Sequence, residues 1–537
     1  MIDWLQLFVV ARFGRPLMLL LALSGGLWIV GRGLRVHVAG NVIAERAART
    51  FSLMMGVIGL VGFFSIATWY ANDQRYYDFA EPTMPAVAWM FEAGKPLYPP
   101  PDAPEQYAHI YGPMAFIPLA SAMRIFGTDL RVTKWIGAGA AILAVLLLFA
   151  ILRSRVGTRL AAIFTGYCAL LLLIFRNAAF WVRPDSLELL CTSIGVWAVL
   201  HRSRMNWLVL GVSAGVLWNL KFTGTLYSLP LFVLFLERTN RRDAVLAIVT
   251  ATIGLVLPFV TFPNISFHDY RTWILLSGSK GIMWPTLRQN LEWTLYLLAP
   301  LIVLIAVSVR QQPLTVLSPR VAISLAVALG LISVLASKPG AGPYHLLPFF
   351  PLIAFFTALQ FHHVRIESGG ILLFGVSFTA VAVLIAAAQQ ASFISTVREI
   401  DAIGPLVEVR RFLDQHPGTV TQMGYSSDER MTFVRPLVVF RSGKYVLDQP
   451  AIQEHQLAGI EIPEATSNAL RSCGVTYWLI PKSGDPFSAI NRYPMTHGRA
   501  LYGDGFRRAF VDSYQKSESL EYFDVWTCAK NPIAAER

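Results

Sequence analysis

Apolar residues in this chain gather in long, nearly uninterrupted stretches rather than in the stripes of a soluble amphipathic fold. The runs 135–152, 160–174, 244–262 and 371–388 approach or reach the roughly 20 residues that span a bilayer core. In lipid such a run must be helical, because no water is present to satisfy its backbone N–H and C=O groups. The pattern predicts spans at 16–31, 52–70, 131–152, 158–175, 186–200, 206–220, 222–236, 243–262, 292–309, 320–336, 343–361 and 369–389, about twelve crossings in all. The first is squeezed between Arg15 and Arg32 and reads equally as a full crossing or as a tilted or re-entrant helix. After residue 390 the texture changes. The stretch 406–413 has helical spacing and is rich in charge, whereas 436–447, 474–481 and 521–528 are Val-, Tyr- or Trp-rich between turn residues and read as strands. The expected architecture is an all-α polytopic membrane domain over 1–389, with an outer segment 71–130, followed by a small α/β soluble domain over 390–537.

Composition agrees with this pattern. Of 537 residues 55% are hydrophobic and only 15% are charged, with a mean hydropathy of +0.51. Soluble domains carry roughly 25% charged residues. The net charge of +12 and pI near 9.6 would suit a nucleic-acid partner, but the arginines fall between the apolar runs, where they mark cytoplasmic loops. Arg32, Arg35, Arg46 and Arg49 precede the second span; Arg153, Arg155 and Arg159 follow the third; Arg202 and Arg204 the fifth; Arg238, Arg241 and Arg242 the seventh; Arg310 and Arg320 flank the loop after the ninth; Arg365 follows the eleventh. With alternating spans all these loops share one side. The N-terminus carries no cleavable-signal pattern, since Arg12 and Arg15 interrupt it. Cys168 and Cys191 lie in apolar runs and read as packing residues; Cys473 and Cys528 lie in the polar C-terminal part and could pair in an oxidising compartment. No Cys- or His-rich metal pattern is present.

The unusual chemistry collects on the opposite side. The segment 73–82 reads Asp-Gln-Arg-Tyr-Tyr-Asp-Phe-Ala-Glu-Pro. Asp78 and Glu81 are three apart and would share a face on a helix. A carboxylate held at a membrane surface suits a general base, while an ordinary solvated acidic loop is the plainer alternative. The apolar stretch 113–126 is too short to cross and reads as a surface helix. In Arg183-Pro184-Asp185, Pro184 starts a helix and Asp185 suits its N-terminus, whereas Arg183 fits either a phosphate clamp or an interfacial anchor. Lys221 and the Lys338–His345 turn, which carries Tyr344, face the same side.

These features resemble the C-type glycosyltransferase superfamily, multi-pass enzymes that use polyprenyl-phosphate-linked sugars and include protein mannosyltransferases and the lipid A aminoarabinose transferase. The resemblance rests on Tyr77-Asp78-Phe79-Ala80-Glu81-Pro82, on Gly94-Lys95-Pro96-Leu97-Tyr98 with Tyr111-Gly112-Pro113, on Arg183-Pro184-Asp185-Ser186-Leu187, and on the turn 338–348. It implies a glycosyltransferase, inverting in outcome, in the cell membrane with its C-terminal domain extracytoplasmic. Glu81, with Asp78 second, would be the base. Arg183, Asp185, Lys221, Lys338, Tyr344, His345, Tyr98 and Tyr111 would contact substrate. The implied partners are a polyprenyl-phosphate sugar donor, a lipid, glycan or protein acceptor, and membrane lipids. No metal ligand set is assigned, and a divalent cation is left open as a cofactor.

Two rivals are a transporter or lipid flippase and a membrane scaffold. A transporter would show broken or charged segments near mid-membrane, often in repeated halves; a scaffold gives no reason for acidic and basic groups to share the outer side. The topology predicts that reporter fusions at Pro101 and Gly484 both read out as extracytoplasmic, and cytoplasmic signal from either would contradict it.

Overall fold

The computed structural model describes residues 42–201, 203–278, 280–308, 316–363, 369–399, 403–491, 493 and 496–530. The expected span 16–31 lies outside them. Among the described residues six helices are long and apolar enough to cross a membrane: Arg46–Asn72, Leu130–Val156, Arg241–Thr261, Trp284–Ala306, Pro343–His363 and Phe378–Arg398. Shorter apolar helices cover Pro113–Phe126, Thr158–Ile174, Asn206–Leu220 and Pro319–Leu335, and further helices form at Asp185–Leu200 and Gly224–Arg238. Each expected span from 52–70 onward therefore falls on a helix.

The chain divides into two compact units. The first comprises 1–72, 137–255 and 282–396; the second comprises 73–136, 256–281 and 397–537. In the first, helices meet through small residues, as expected where lipid gives no hydrophobic drive to associate. Gly56 and Gly59 of the helix Val42–Asn72 lie against Gly166 of Thr158–Ile174 so closely that a Cβ on Gly59 would stand 2.5 Å from the Gly166 carbonyl oxygen. Gly215 and Gly254 repeat the device between Asn206–Leu220 and Arg241–Thr261, with a Cβ on Gly215 meeting the Gly254 Cα at 2.9 Å. Side-chain hydrogen bonds add to the packing: Asn290 donates to the Ser333 carbonyl (3.0 Å) and the Ser337 hydroxyl (3.1 Å), and Gln360 to the Ser308 hydroxyl (2.7 Å). Cys168 and Cys191 are buried and free.

The second unit contains a four-stranded sheet in the order β1-β2-β4-β3. Here β1 is Thr421–Met423, β2 Tyr477–Pro481, β3 Tyr514–Ser519 and β4 Phe523–Cys528. β1 and β2 run parallel and the other pairs antiparallel. A parallel pair needs a crossover, supplied by the helices Arg435–Ser442, Gln449–Leu457 and Glu464–Arg471. Trp478, Phe487, Tyr502 and Phe510 fill the core. The expected helix over 406–413 lies within Ile403–Gln415, and two of the three expected strands appear as β2 and β4. The third does not: 436–442 is helical. Pro436 occupies the first turn of Arg435–Ser442, where its fixed φ suits a helix, and Gly443 closes that helix with φ +58°. The Val-rich run that looked like a strand is instead the buried side of this helix, through Val438 and Val439. β3 went unpredicted because it is a polar edge; Lys516 and Glu518 on its exposed face discourage edge pairing.

Cys473 and Cys528 form a disulfide with Cα atoms 5.7 Å apart, closing a separation of 55 residues. Chain-entropy arguments give such a loop about 4 kcal/mol of stabilisation. Cys473→Ser with Cys528→Ser should therefore lower the melting temperature, and the parent protein should migrate faster on a gel without reductant than with it. Identical migration would show that the two cysteines are not joined.

Candidate active site

In the second unit, residues 78–82 form turns rather than the helix that would have put Asp78 and Glu81 on one face. Pro82, at φ −64°, leads into the helix Thr83–Glu92. Glu81 is fully buried, and one carboxylate oxygen accepts from the backbone N–H groups of Tyr77 (2.8 Å) and Asp78 (3.1 Å). Asp78 is half-buried, and its Oδ1 accepts from the Ala80 N–H at 3.0 Å. The two carboxylates thus share one turn with different surroundings.

Asp73, Arg75, Tyr77 and Lys134 surround this turn. Asp73 accepts from the Arg75 guanidinium, 2.5 Å at the shortest, and from the Tyr77 hydroxyl. Burial alone would raise the Asp73 carboxyl, but these bonds outweigh it and hold the group below the usual carboxylate value. Burial, with the bond to Asp73 adding to it, pushes the Tyr77 hydroxyl up. Lys134, fully buried in the helix Leu130–Val156, donates to the carbonyls of Asp73 (2.9 Å) and Arg75 (2.8 Å), and its ammonium lies 5.1 Å from the Tyr77 ring centre. A lysine inside an apolar run is a recognisable functional flag, and it was legible at position 134.

The Gly-x-Pro-x-Tyr motif has a structural account. Gly94, at φ +75°, terminates the helix Thr83–Glu92, and its N–H bonds the Phe91 carbonyl at 3.0 Å. Tyr98 is buried; its hydroxyl donates to the Tyr111 carbonyl at 2.7 Å and its ring lies 5.0 Å from that of Tyr270. Tyr98 and Tyr111 are brought together, and both are buried against protein.

In the first unit, Pro184 places Asp185 at the start of the helix Asp185–Leu200. Asp185 accepts from the Trp181 indole N–H (2.9 Å) and from Lys221 (2.6 Å). Lys221 also donates to Glu188 at 3.3 Å, with every partner buried. Glu188, one helical turn beyond Asp185, was missed, although a carboxylate inside an apolar run is an equally clear signal. Arg183 lies with its guanidinium carbon 4.0 Å from the Trp181 ring centre and 5.0 Å from that of Tyr344, and donates to the Tyr344 hydroxyl at 2.9 Å. His345 stacks on Tyr344 at 4.6 Å, and its carbonyl accepts from Tyr227. Lys338 stands 5.7 Å from the Phe222 ring centre. The structure thus joins Arg183, Asp185, Lys221, Tyr344 and His345 in one cluster. Lys221 is committed to two carboxylates, while Arg183 presents a guanidinium fixed by aromatic rings. Among the described residues no group of three or more His, Cys, Asp or Glu is placed to hold a metal ion.

Six long apolar helices make this a multi-pass membrane protein, and its fold is similar to that of C-type glycosyltransferases. Residues 110–267 match the family model described as Dolichyl-phosphate-mannose-protein mannosyltransferase. The fold is similar to that of ArnT from Cupriavidus metallidurans bound to undecaprenyl phosphate, with a TM-score of 0.54 and 13% identity over 88% of this chain and 97% of that one. The apo form of that protein gives a TM-score of 0.50 and 11% identity over 89% and 98% of the two chains. No curated protein sequence matches the chain. The resemblance to the C-type glycosyltransferase superfamily therefore holds both in a stretch of sequence and in fold.

Removing the Lys221 ammonium would leave Asp185 and Glu188 buried without their cation, a loss of about 3–5 kcal/mol for a pair of this kind. Lys221→Met should therefore sharply lower the melting temperature of the detergent-solubilised protein. A variant that melts like the parent would show that the two carboxylates do not depend on Lys221.

Proposed function

We propose that this chain is a membrane glycosyltransferase that moves a sugar from a polyprenyl-phosphate-linked donor to an acceptor hydroxyl on a lipid, glycan or protein. The observation that carries this reading is Arg183, a guanidinium stacked on Trp181 and Tyr344 in a fold whose Cupriavidus metallidurans relative was solved with undecaprenyl phosphate. A planar guanidinium suits phosphate oxygens. Its bonds strengthen as the sugar departs and charge builds on the leaving oxygen, so the group that binds the donor also assists the reaction. Lys338 would add a second cation, and the carboxylate-bound Lys221 would hold Asp185 and the start of its helix in place.

The reaction is a single displacement. The acceptor O–H gives its proton to a carboxylate of the 78–81 turn and its oxygen attacks the anomeric carbon. The bond from that carbon to the phosphate oxygen breaks with its electron pair remaining on the phosphate, and the configuration inverts. Both acids of the turn are candidates for the base. Glu81 is fully buried with its carboxylate committed to two backbone N–H groups, whereas Asp78 is half-exposed. The difference favours Asp78 as the carboxylate that meets the acceptor and Glu81 as the one that shapes the turn. Each cluster would face away from the cytoplasm, a reading supported by the alternation of arginine-rich loops and by the disulfide, which belongs to oxidising compartments. A nucleotide sugar made in the cytoplasm could not readily reach it, whereas a lipid-linked sugar flipped across the membrane could.

Asp78→Asn should cut turnover by roughly two to four orders of magnitude, the scale of a general base, with an unchanged melting temperature. Glu81→Gln should lower both turnover and melting temperature. A folded, inactive Glu81→Gln beside an active Asp78→Asn would return the base to Glu81. Transfer from a nucleotide sugar by purified protein free of polyprenyl lipid would overturn the donor class.

A further inference from the structure

Within the second unit one arginine is buried to an unusual degree, and it reaches back to the acidic turn. Arg435, 1% exposed at the start of the helix Arg435–Ser442, uses every arm of its guanidinium. Its Nε donates to Asp448 (3.1 Å) and to the Tyr445 hydroxyl (3.2 Å), and Nη1 to the Thr432 carbonyl (3.3 Å). Its Nη2 donates to the Phe79 carbonyl (2.7 Å) and to the Thr83 hydroxyl (2.8 Å). Phe79 and Thr83 stand two residues to either side of Glu81. A single guanidinium nitrogen therefore holds the chain on both sides of the buried carboxylate.

The grip is closed by its partners. The Thr83 hydroxyl donates to Asp448 at 2.9 Å, and the Tyr445 hydroxyl donates to the same carboxylate. Asp448 is fully buried, and Arg435 offsets its charge. A second tie runs alongside: the Gln106 N–H bonds the Val446 carbonyl (2.7 Å), the Asp448 N–H bonds the Gln106 carbonyl (2.8 Å), and Tyr107 stacks on Tyr445 with ring centres 5.6 Å apart. Buried polar networks of this kind are rigid when fully satisfied and costly when partly satisfied. The planar fork matters as much as the charge, because a lysine could not reach the Phe79 carbonyl, Thr83 and Asp448 with fixed mutual geometry.

We propose that Arg435, acting with Asp448 and Thr83, is a positioning residue for the reaction: the C-terminal segment sets the conformation of the turn that carries Asp78 and Glu81. This rests on the reading of that turn as the source of the base. Arg435 touches no reacting atom; it fixes the backbone from which the base projects. Misplacing a catalytic group by about 1 Å costs on the order of a hundredfold in rate, so loosening the grip lowers kcat while leaving the donor KM unchanged.

The test uses the full-length protein in detergent or nanodiscs, comparing Arg435→Lys, Arg435→Ala and Thr83→Val with Val475→Ala, which loosens the C-terminal core without touching the turn. Hydrogen exchange of a peptide covering residues 76–84 reads the turn directly, and transfer from a polyprenyl-phosphate sugar reads kcat and KM. We expect faster exchange in that peptide for all three network variants, with kcat down about tenfold to a hundredfold at unchanged KM, and neither effect in Val475→Ala. Thr83→Val keeps side-chain size and both charges, so it decides the matter should Arg435→Ala fail to fold. Unchanged exchange in residues 76–84 for Thr83→Val and Arg435→Lys would overturn the proposal, as would a kcat loss equalled by Val475→Ala. If the parent protein transfers no sugar from any polyprenyl-linked donor, the functional reading fails, and the exchange measurement still decides whether Arg435 sets the turn.

Discussion

A chain that lives in lipid cannot leave a backbone group unbonded or a charge unpaired at depth, and most features of this protein follow from that constraint. Among the described residues it turns the apolar runs into helices and forces those helices to pack through small residues such as Gly59, Gly166, Gly215 and Gly254. It also gathers the ionisable groups that remain into clusters where each has a partner. Lys221 between Asp185 and Glu188, and Lys134 capping the carbonyls of Asp73 and Arg75, are both products of that pressure. Such clusters are costly to build.

The clusters differ in what they leave available for chemistry. Around the helix Asp185–Leu200, two carboxylates take up one ammonium, and the guanidinium of Arg183 lies against the rings of Trp181 and Tyr344. Aromatic stacking orients a guanidinium without using up its charge, a suitable arrangement for a phosphate. In the acidic turn, the buried carboxylate of Glu81 organises backbone while Asp78 keeps partial access to solvent.

Much of this was legible in the sequence. Apolar run length located the helices because the bilayer imposes a length. The motif residues Arg183, Asp185, Tyr344 and His345, chosen from far-apart positions, do meet. What the sequence concealed was pairing. Nothing in a lone Lys221 shows that it will lie against Asp185 and Glu188, and Asp78 and Glu81 looked like neighbours on a helix until Pro82 proved to lead a helix that begins after them. Arg435 and Asp448 read as ordinary charges of a soluble domain, since their partners Phe79 and Thr83 lie some 350 residues away. The run 436–442 misled for a different reason: its valines suit a strand by propensity, but Pro436 and Gly443 set helical ends and the packing followed them.

The proposed function depends on a lipid-linked phosphate binding at Arg183. Native mass spectrometry of the purified protein with a polyprenyl phosphate, and with the corresponding neutral polyprenol, measures that binding. The parent should retain one polyprenyl phosphate, the neutral lipid should be retained far less, and Arg183→Ala should lose the preference for the phosphate while remaining folded. Equal retention of the two lipids by the parent, or an undiminished preference in Arg183→Ala, would contradict it.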